Sequence, residues 1–193
     1  MSVIIENILD VIESNGEDET LSDLSSFSCP LNLEIEDFLR CKAIDFAKRK
    51  LSVTYIVTDL SDGQILGYFT LAHKAIDIPE IDLSKTSQKK IQRYARFDPI
   101  SGTYTLSAFL IAQIGKNYAV DHGNRLTGSS LMNYALDILS DIQHRIGGGV
   151  VYLDAENRSA LISFYENTVN FKFFGERYSE NDKTKYLQFM RFL

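Results

Sequence analysis

Thr105-Leu106-Ser107-Ala108-Phe109-Leu110-Ile111-Ala112-Gln113-Ile114, closed by Gly115-Lys116, is the longest apolar strand candidate in the chain. Its continuity predicts a central strand buried on both faces. Downstream stands the polar stretch Gly123-Asn124-Arg125-Leu126-Thr127-Gly128-Ser129-Ser130-Leu131-Met132. From Thr127 to Ile146, Leu131-Met132, Ala135-Leu136, Leu139 and Ile142 recur at helical spacing, and Gly147-Gly148-Gly149 ends the pattern. A buried strand running through such a loop into a long helix exposes free backbone N–H groups at the positive end of the helix dipole. That arrangement binds anions, typically a pyrophosphate. Viewed alone, the segment reads equally as a capped helix with Thr127 as N-cap and Gly128 as a close-packing residue. Gly-Lys-Ser/Thr is absent, which excludes a Walker loop, and no Gly-x-Gly-x-x-Gly supports dinucleotide binding.

Upstream of this stretch, Val3-Ile4-Ile5, Ile8-Leu9 and Val11-Ile12 recur at helical spacing until Asn15-Gly16. They predict a short acidic helix followed by a loop at Glu17-Asp18-Glu19. A second helix is expected over 34–50, with acids at its start and Lys48-Arg49-Lys50 at its end. Ser52 to Thr58 and Ile65 to Leu71, separated by Ser61-Asp62-Gly63, read as an antiparallel hairpin. Pro79 interrupts, a basic helix opens at Ser84 and runs to about Ala95, and Asp98 to Gly102 form a loop. Beyond the long helix come a short buried strand at Val150 to Leu153, a helix from Ala155 to Asn167, and a strand pair at Phe171 to Phe174 and Lys185 to Phe192. These elements make an α+β fold on a mixed sheet. With 193 residues, 45% of them hydrophobic, the chain suits one domain, residues 1–33 forming an acidic helix and loop within it and 34–193 the body.

Charge is unevenly placed. Residues 1–37 contain ten acids and no base, leaving 16 acids against 20 bases in residues 38–193, so a net charge of −6 conceals a body of +4. An acidic whole argues against nucleic acid, although Lys85, Lys89, Lys90, Arg93 and Arg96 form a cluster that reads either as a solvated helix face or as a phosphate-binding surface. Cys29 and Cys41 are too few for a disulfide framework, and His73, His122 and His144 show no metal-ligand spacing, so no metal is expected. No run of 18 apolar residues appears, and acids stand where a secretory leader carries lysines; a cytoplasmic protein without a membrane partner is the expectation.

Two segments resemble the GNAT superfamily of N-acetyltransferases. Leu110 to Gly115 with Leu126 to Met132 is similar to the acyl-CoA-binding strand, pyrophosphate loop and helix. Ala160-Leu161-Ile162-Ser163-Phe164-Tyr165-Glu166 with Phe171 is similar to the family's Ala-x-x-x-Tyr-Glu-x-x-Gly-Phe segment, with Leu161 in the place of the alanine. The upstream part, Phe38-Leu39 through Tyr55 to Leu71, resembles the N-terminal half of toxin-type GNAT enzymes and their relatives. The pyrophosphate pattern Gln/Arg-x-x-Gly-x-Gly/Ala falls on residues 123–128, where Gly123 replaces Gln/Arg, Leu126 replaces the middle glycine, and Gly128 is kept. The Gly-Phe pair reads Asn170-Phe171 after a longer Thr168-Val169 connection, and Arg158 stands where the family has asparagine.

The resemblance implies a GNAT-like mixed, mostly antiparallel sheet with helices on both faces. It implies transfer of an acetyl group from acetyl-CoA directly to a primary amine. Ile114, Gly115, Leu126, Thr127, Gly128, Ser129 and Ser130 would bind the cosubstrate, and Tyr165 would act as general acid to the leaving thiolate. Asp121, His122 and Glu156 are the candidates near the site from which no base is assigned. Within the enzyme class the acceptor is either an ordinary amine or, as in toxin-type members, an aminoacyl-tRNA; an antitoxin-type protein partner and a homodimer both stay open. Outside that class, the departures at Gly123 and Leu126 leave a non-catalytic acyl-CoA-binding or interaction module.

Overall fold

The computed structural model describes residues 2–180 and 183–193, apart from the side chain of His122. Its strands are β1 (Val3–Asn7), β2 (Val53–Asp59), β3 (Ile65–Pro79), β4 (Arg96–Asp98), β5 (Thr103–Lys116), β6 (Val150–Glu156), β7 (Lys172–Ser179) and β8 (Thr184–Phe192). They form a mixed sheet in the order β1-β2-β3-β5-β6-β8-β7, with β4 beside β5. β5 and β6 pair in parallel, at Phe109 with Val151 and Leu110 with Tyr152, while β1–β2, β2–β3, β4–β5, β6–β8 and β7–β8 are antiparallel. The fold is α+β, as the element order predicts.

The helices are α1 (Ile8–Asn15), α2 (Glu17–Ser25), α3 (Leu33–Asp37), α4 (Ala43–Lys48), α5 (Lys85–Ile91), α6 (Gly128–Ile146) and α7 (Ser159–Ser163). Two wide π turns, Phe38–Lys42 and Phe164–Thr168, join α3 to α4 and extend α7. The chain divides into two compact units, the first made of Met1–Ala72 and Ile111–Ile138, the second of His73–Leu110 and Leu139–Leu193.

In the first unit the expected N-terminal helix begins later than its periodicity suggests. Val3, Ile4 and Ile5 pair with Asp59, Thr58 and Val57 as a strand, because β-branched residues gain more from the ladder than from a helix. Asn7 then starts α1 by accepting the Leu9 N–H at 3.0 Å. The expected loop after Gly16 is also helical: Gly16 turns the chain at φ 88°, and Glu17, Asp18 and Glu19 fill the first turn of α2, where the dipole favours acids. Asn32 caps α3 through the Glu34 and Ile35 N–H groups. The core joins Ile8, Leu24, Phe27, Leu39, Ala47, Ile56 and Tyr68, with the Phe27 and Tyr68 rings edge to face at 5.2 Å.

In the second unit Ile78, Ile91, Tyr104, Leu106, Ala108, Val150, Tyr152 and Met190 share a core. The central strand is not buried on both faces. Tyr104, Leu106 and Ala108 are buried while Thr105 and Ser107 between them are exposed, so the apolar run hides a period of two. The basic helix stops at Ile91, and Arg96 to Asp98 pair with β5 where a loop had been expected to begin. Residues Ala155 and Glu156, expected in a helix, finish β6 instead.

Candidate functional site

The end of β5 from Ile111, the loop after it and α6 as far as Ile138 lie in the first unit. At the end of β5 the buried Gly115 faces α3 so closely that a Cβ there would stand 2.4 Å from Ile35 Cγ2, and across β3 its carbonyl approaches Gly67. Asn117, 1% exposed, fixes the chain that follows. Its Oδ1 accepts from the N–H groups of Ser28 and Ala119 at 2.9 and 3.0 Å, and its Nδ2 donates to the Ile65 carbonyl at 2.8 Å. Lys116 Nζ donates to the Gly123 carbonyl at 2.8 Å and stands 5.5 Å from the centre of the Tyr118 ring. Arg125 reaches back to the β2–β3 turn, ion-paired with Asp59 and, at 2.8 Å, with Asp62. The Ser61 hydroxyl and N–H, then Arg125, hold the Asp59 carboxyl below the usual carboxylate range; at Asp62 the Arg125 hydrogen bond does most of this.

The predicted cosubstrate residues occupy distinct roles around this loop. Leu126 is 3% exposed, its side chain turned into the core beside Gly67, which leaves its main chain as the part able to meet a ligand. Thr127 Oγ1 accepts the Ser130 N–H at 3.0 Å, and its carbonyl takes the Leu131 N–H, so Thr127 is the N-cap of α6. By helix geometry the N–H groups of Gly128 and Ser129 then point out of the first turn with no intrahelical acceptor. Gly128, Ser129, Ser130 and Ile114 are all half-buried. A group with negative charge suits that end of a helix of 19 residues.

Tyr165 lies in the second unit, in the π turn after α7. Its side chain is 7% exposed, and its ring meets those of Phe164, Phe189 and Phe171 at centroid distances of 5.3, 5.6 and 6.3 Å. Among the described residues nothing hydrogen-bonds its hydroxyl. Burial alone pushes the phenol up to about 12. The turn closes with the Val169 N–H donating to the Phe164 carbonyl and the Phe171 N–H to that of Tyr165. Between them Asn170 adopts φ 57°, a left-handed conformation in which a glycine is at ease and asparagine is among the tolerated side chains. The longer connection before Phe171 is thus absorbed by the wide turn, with Asn170 in the conformation suited to the family's glycine.

Of the base candidates, Asp121 is exposed, Glu156 meets Arg158 at 3.5 Å, and the side chain of His122 lies outside the described residues. Among the described residues no group of three or more His, Cys, Asp or Glu is arranged to hold a metal ion, and no helix is long and apolar enough to cross a membrane. Sequence reasoning passed over Asn117, Lys116 and the Asp59–Arg125–Asp62 cluster. The partners lie up to 89 residues apart, a separation that no local pattern encodes. A faint signal was a lone Lys-Asn pair directly after an apolar strand.

No protein-family model matches the chain, and no curated protein matches it. Solved structures do. AtaT complexed with acetyl-methionyl-tRNAfMet is 18% identical, with a TM-score of 0.65 over 96% of this chain and 94% of that one. A tyrosine-to-phenylalanine variant of KacT is 18% identical, with a TM-score of 0.66 over 97% and 94%. AtaTR bound with AcCoA is 14% identical, with a TM-score of 0.59 over 98% and 92%. At these identities the likeness speaks for architecture, and in architecture the chain has the fold of the GNAT acetyltransferases.

Proposed function

We propose that the protein is an acetyl-CoA-dependent N-acetyltransferase that moves the acetyl group directly to a primary amine. The observation that carries the reading is Tyr165: a buried phenol with no hydrogen-bond partner among the described residues, on the segment matching the family tyrosine. With no partner to satisfy among the described residues, the hydroxyl is free to engage a bound ligand. The capped start of α6 fits the pyrophosphate, with Gly128 and Ser129 N–H groups as donors beside Thr127 and Ser130. Ile114 and Gly115 would hold the pantetheine arm through their main chain, and the main chain of Leu126 would border the phosphates.

Bound acetyl-CoA supplies an acetyl group activated as a thioester. The chain's own task is to orient that carbonyl toward a neutral amine and to protonate the departing sulfur. Tyr165 serves the second need. Its proton stays in place at neutral pH because burial holds the phenol near 12, and it can pass to, or hydrogen-bond, a thiolate leaving in a desolvated site. The amine would lose its proton to solvent. The test is release of free thiol from acetyl-CoA with polyamines, peptides and aminoacyl-tRNA as acceptors, beside Tyr165→Phe. Thiol release with none of them, by folded protein that binds acetyl-CoA, would leave the non-catalytic module.

One observation favours a narrower acceptor. Lys85, Lys89, Lys90, Arg93 and Arg96 stand exposed with no carboxylate ion-paired to any of them among the described residues, a surface suited to phosphates. The likeness to AtaT, solved with acetyl-methionyl-tRNAfMet, points the same way. In this second reading the amine belongs to an aminoacyl-tRNA, and a protein partner of the kind AtaR provides for AtaT restrains the enzyme. Growth arrest on expression, relieved by Tyr165→Phe, is the outcome it requires.

A further inference from the structure

Building on the acetyl-CoA reading, we infer that the Lys116 ammonium is the side-chain cation for the pyrophosphate. Residues 111–130 contain two permanent cations, Lys116 and Arg125. Arg125 is committed elsewhere. Its guanidinium is shared between Asp59 and Asp62, and a cation flanked by two carboxylates has no net attraction to offer an arriving dianion. Lys116 is differently placed. Its contacts, the Gly123 carbonyl and the Tyr118 ring, are both neutral, and among the described residues it has no carboxylate partner. One of its three N–H donors is used, so two donors and the whole charge are left.

The position fits as well as the charge. Lys116 ends β5, and its Nζ rests on Gly123, the first residue of the segment that corresponds to the pyrophosphate pattern. A side chain at 123 is disfavoured on two counts. The backbone there has φ 74°, and a Cβ would meet Tyr118 Cδ1 at 3.2 Å. The chain therefore lacks the Gln or Arg of the pattern at that place and brings an ammonium to the same spot from the strand end seven residues earlier. Half-buried beside an aromatic face, the ammonium is screened less than a fully exposed lysine, which strengthens its pull on phosphate oxygens.

The experiment titrates the full chain with acetyl-CoA, acetyl-dephospho-CoA and S-acetylpantetheine, as wild type, Lys116→Gln and Lys116→Arg. Lys116→Met, which keeps the apolar stem, replaces the glutamine variant if that does not fold. Loss of a charged hydrogen bond predicts about tenfold to hundredfold weaker binding of both nucleotide thioesters by Lys116→Gln. S-acetylpantetheine, which has no pyrophosphate, should bind as to wild type, and Lys116→Arg should recover most of the loss. The salt dependence of acetyl-CoA binding should become shallower in Lys116→Gln, a change that a merely loop-supporting lysine would not produce. Equal weakening of all three ligands, an unchanged salt dependence, or no loss with acetyl-dephospho-CoA would overturn the assignment of Lys116 while leaving the acetyl-CoA reading intact. Failure of folded wild type to bind any of the thioesters would overturn both.

Discussion

Replacing Tyr165 by phenylalanine separates a catalytic hydroxyl from a structural one. The ring contacts with Phe164, Phe171 and Phe189 survive the change, and no hydrogen bond among the described residues is lost. A buried tyrosine whose hydroxyl is bonded contributes about 0.5–1.5 kcal/mol through that bond. Here unfolding free energy should move by less than about 0.5 kcal/mol, in either direction, because an unpartnered hydroxyl has little to lose. Activity should fall by about 10²–10⁴, the usual yield of a positioned acid. Thiol release from acetyl-CoA, followed with a chromogenic thiol reagent, reads the rate, and urea unfolding of the same preparations reads stability. With the phenol near 12, Tyr165 should impose no alkaline limb on the rate below about pH 11. A variant that keeps its rate within about threefold, or that loses more than about 1.5 kcal/mol of stability, would refute the reasoning.

Gly128→Asp places a carboxylate at the start of α6, where the dipole welcomes it; stability should hold, while calorimetry shows acetyl-CoA binding weakened by at least about tenfold through repulsion of the phosphates. Gly115→Ala drives a methyl group to 2.4 Å from Ile35 Cγ2 and should cost about 1–3 kcal/mol in urea unfolding, with part of the loss recovered by adding Ile35→Ala. Asn117→Ala strands the Ser28 and Ala119 N–H groups and the Ile65 carbonyl, for a loss of about 2–4 kcal/mol in the same assay. Alkaline titration supplies a last check: in the unfolded chain Tyr165 ionises near 10 and in the fold near 12, so the unfolded state binds fewer protons in that window. Stability should be unaffected by this residue below pH 10 and fall between 10 and 12 by on the order of 2–3 kcal/mol, a decline that Tyr165→Phe removes.

Long periodic elements were legible because one period dominated them. The helix from Gly128 to Ile146 announces itself through Leu131, Ala135, Leu139 and Ile142, and Gly147 stops it at φ 79°. The hairpin of β2 and β3 was equally plain from its β-branched residues and its Asp62-Gly63 turn. Val3-Ile4-Ile5 was misleading because a three-residue apolar run satisfies either period, and only pairing with Asp59 to Val57 decides it. Burial of β5 was overstated because Ala112 in its apolar run is exposed as well. At the loop, the order of strand, glycines and capped helix could be read locally, with Thr127 as the cap. What pins the loop could not, since Asn117 gathers partners from residues 28, 65 and 119.

The π turn at Phe164–Thr168 makes the neighbourhood of Tyr165 sensitive to chain length more than to composition. A turn closed over five residues instead of four carries one more residue than an α-helical turn. Deleting one residue between Glu166 and Thr168 would let the segment relax into a regular helix, swinging whatever follows by about 100° about the axis. Val169 and Phe171, which now donate to Phe164 and Tyr165, would lose their acceptors and the phenol its frame of rings. Sequences compared with this one without a gap at that point are out of step by a residue from Val169 onward, so an aromatic residue that serves the purpose of Phe171 stands one place away.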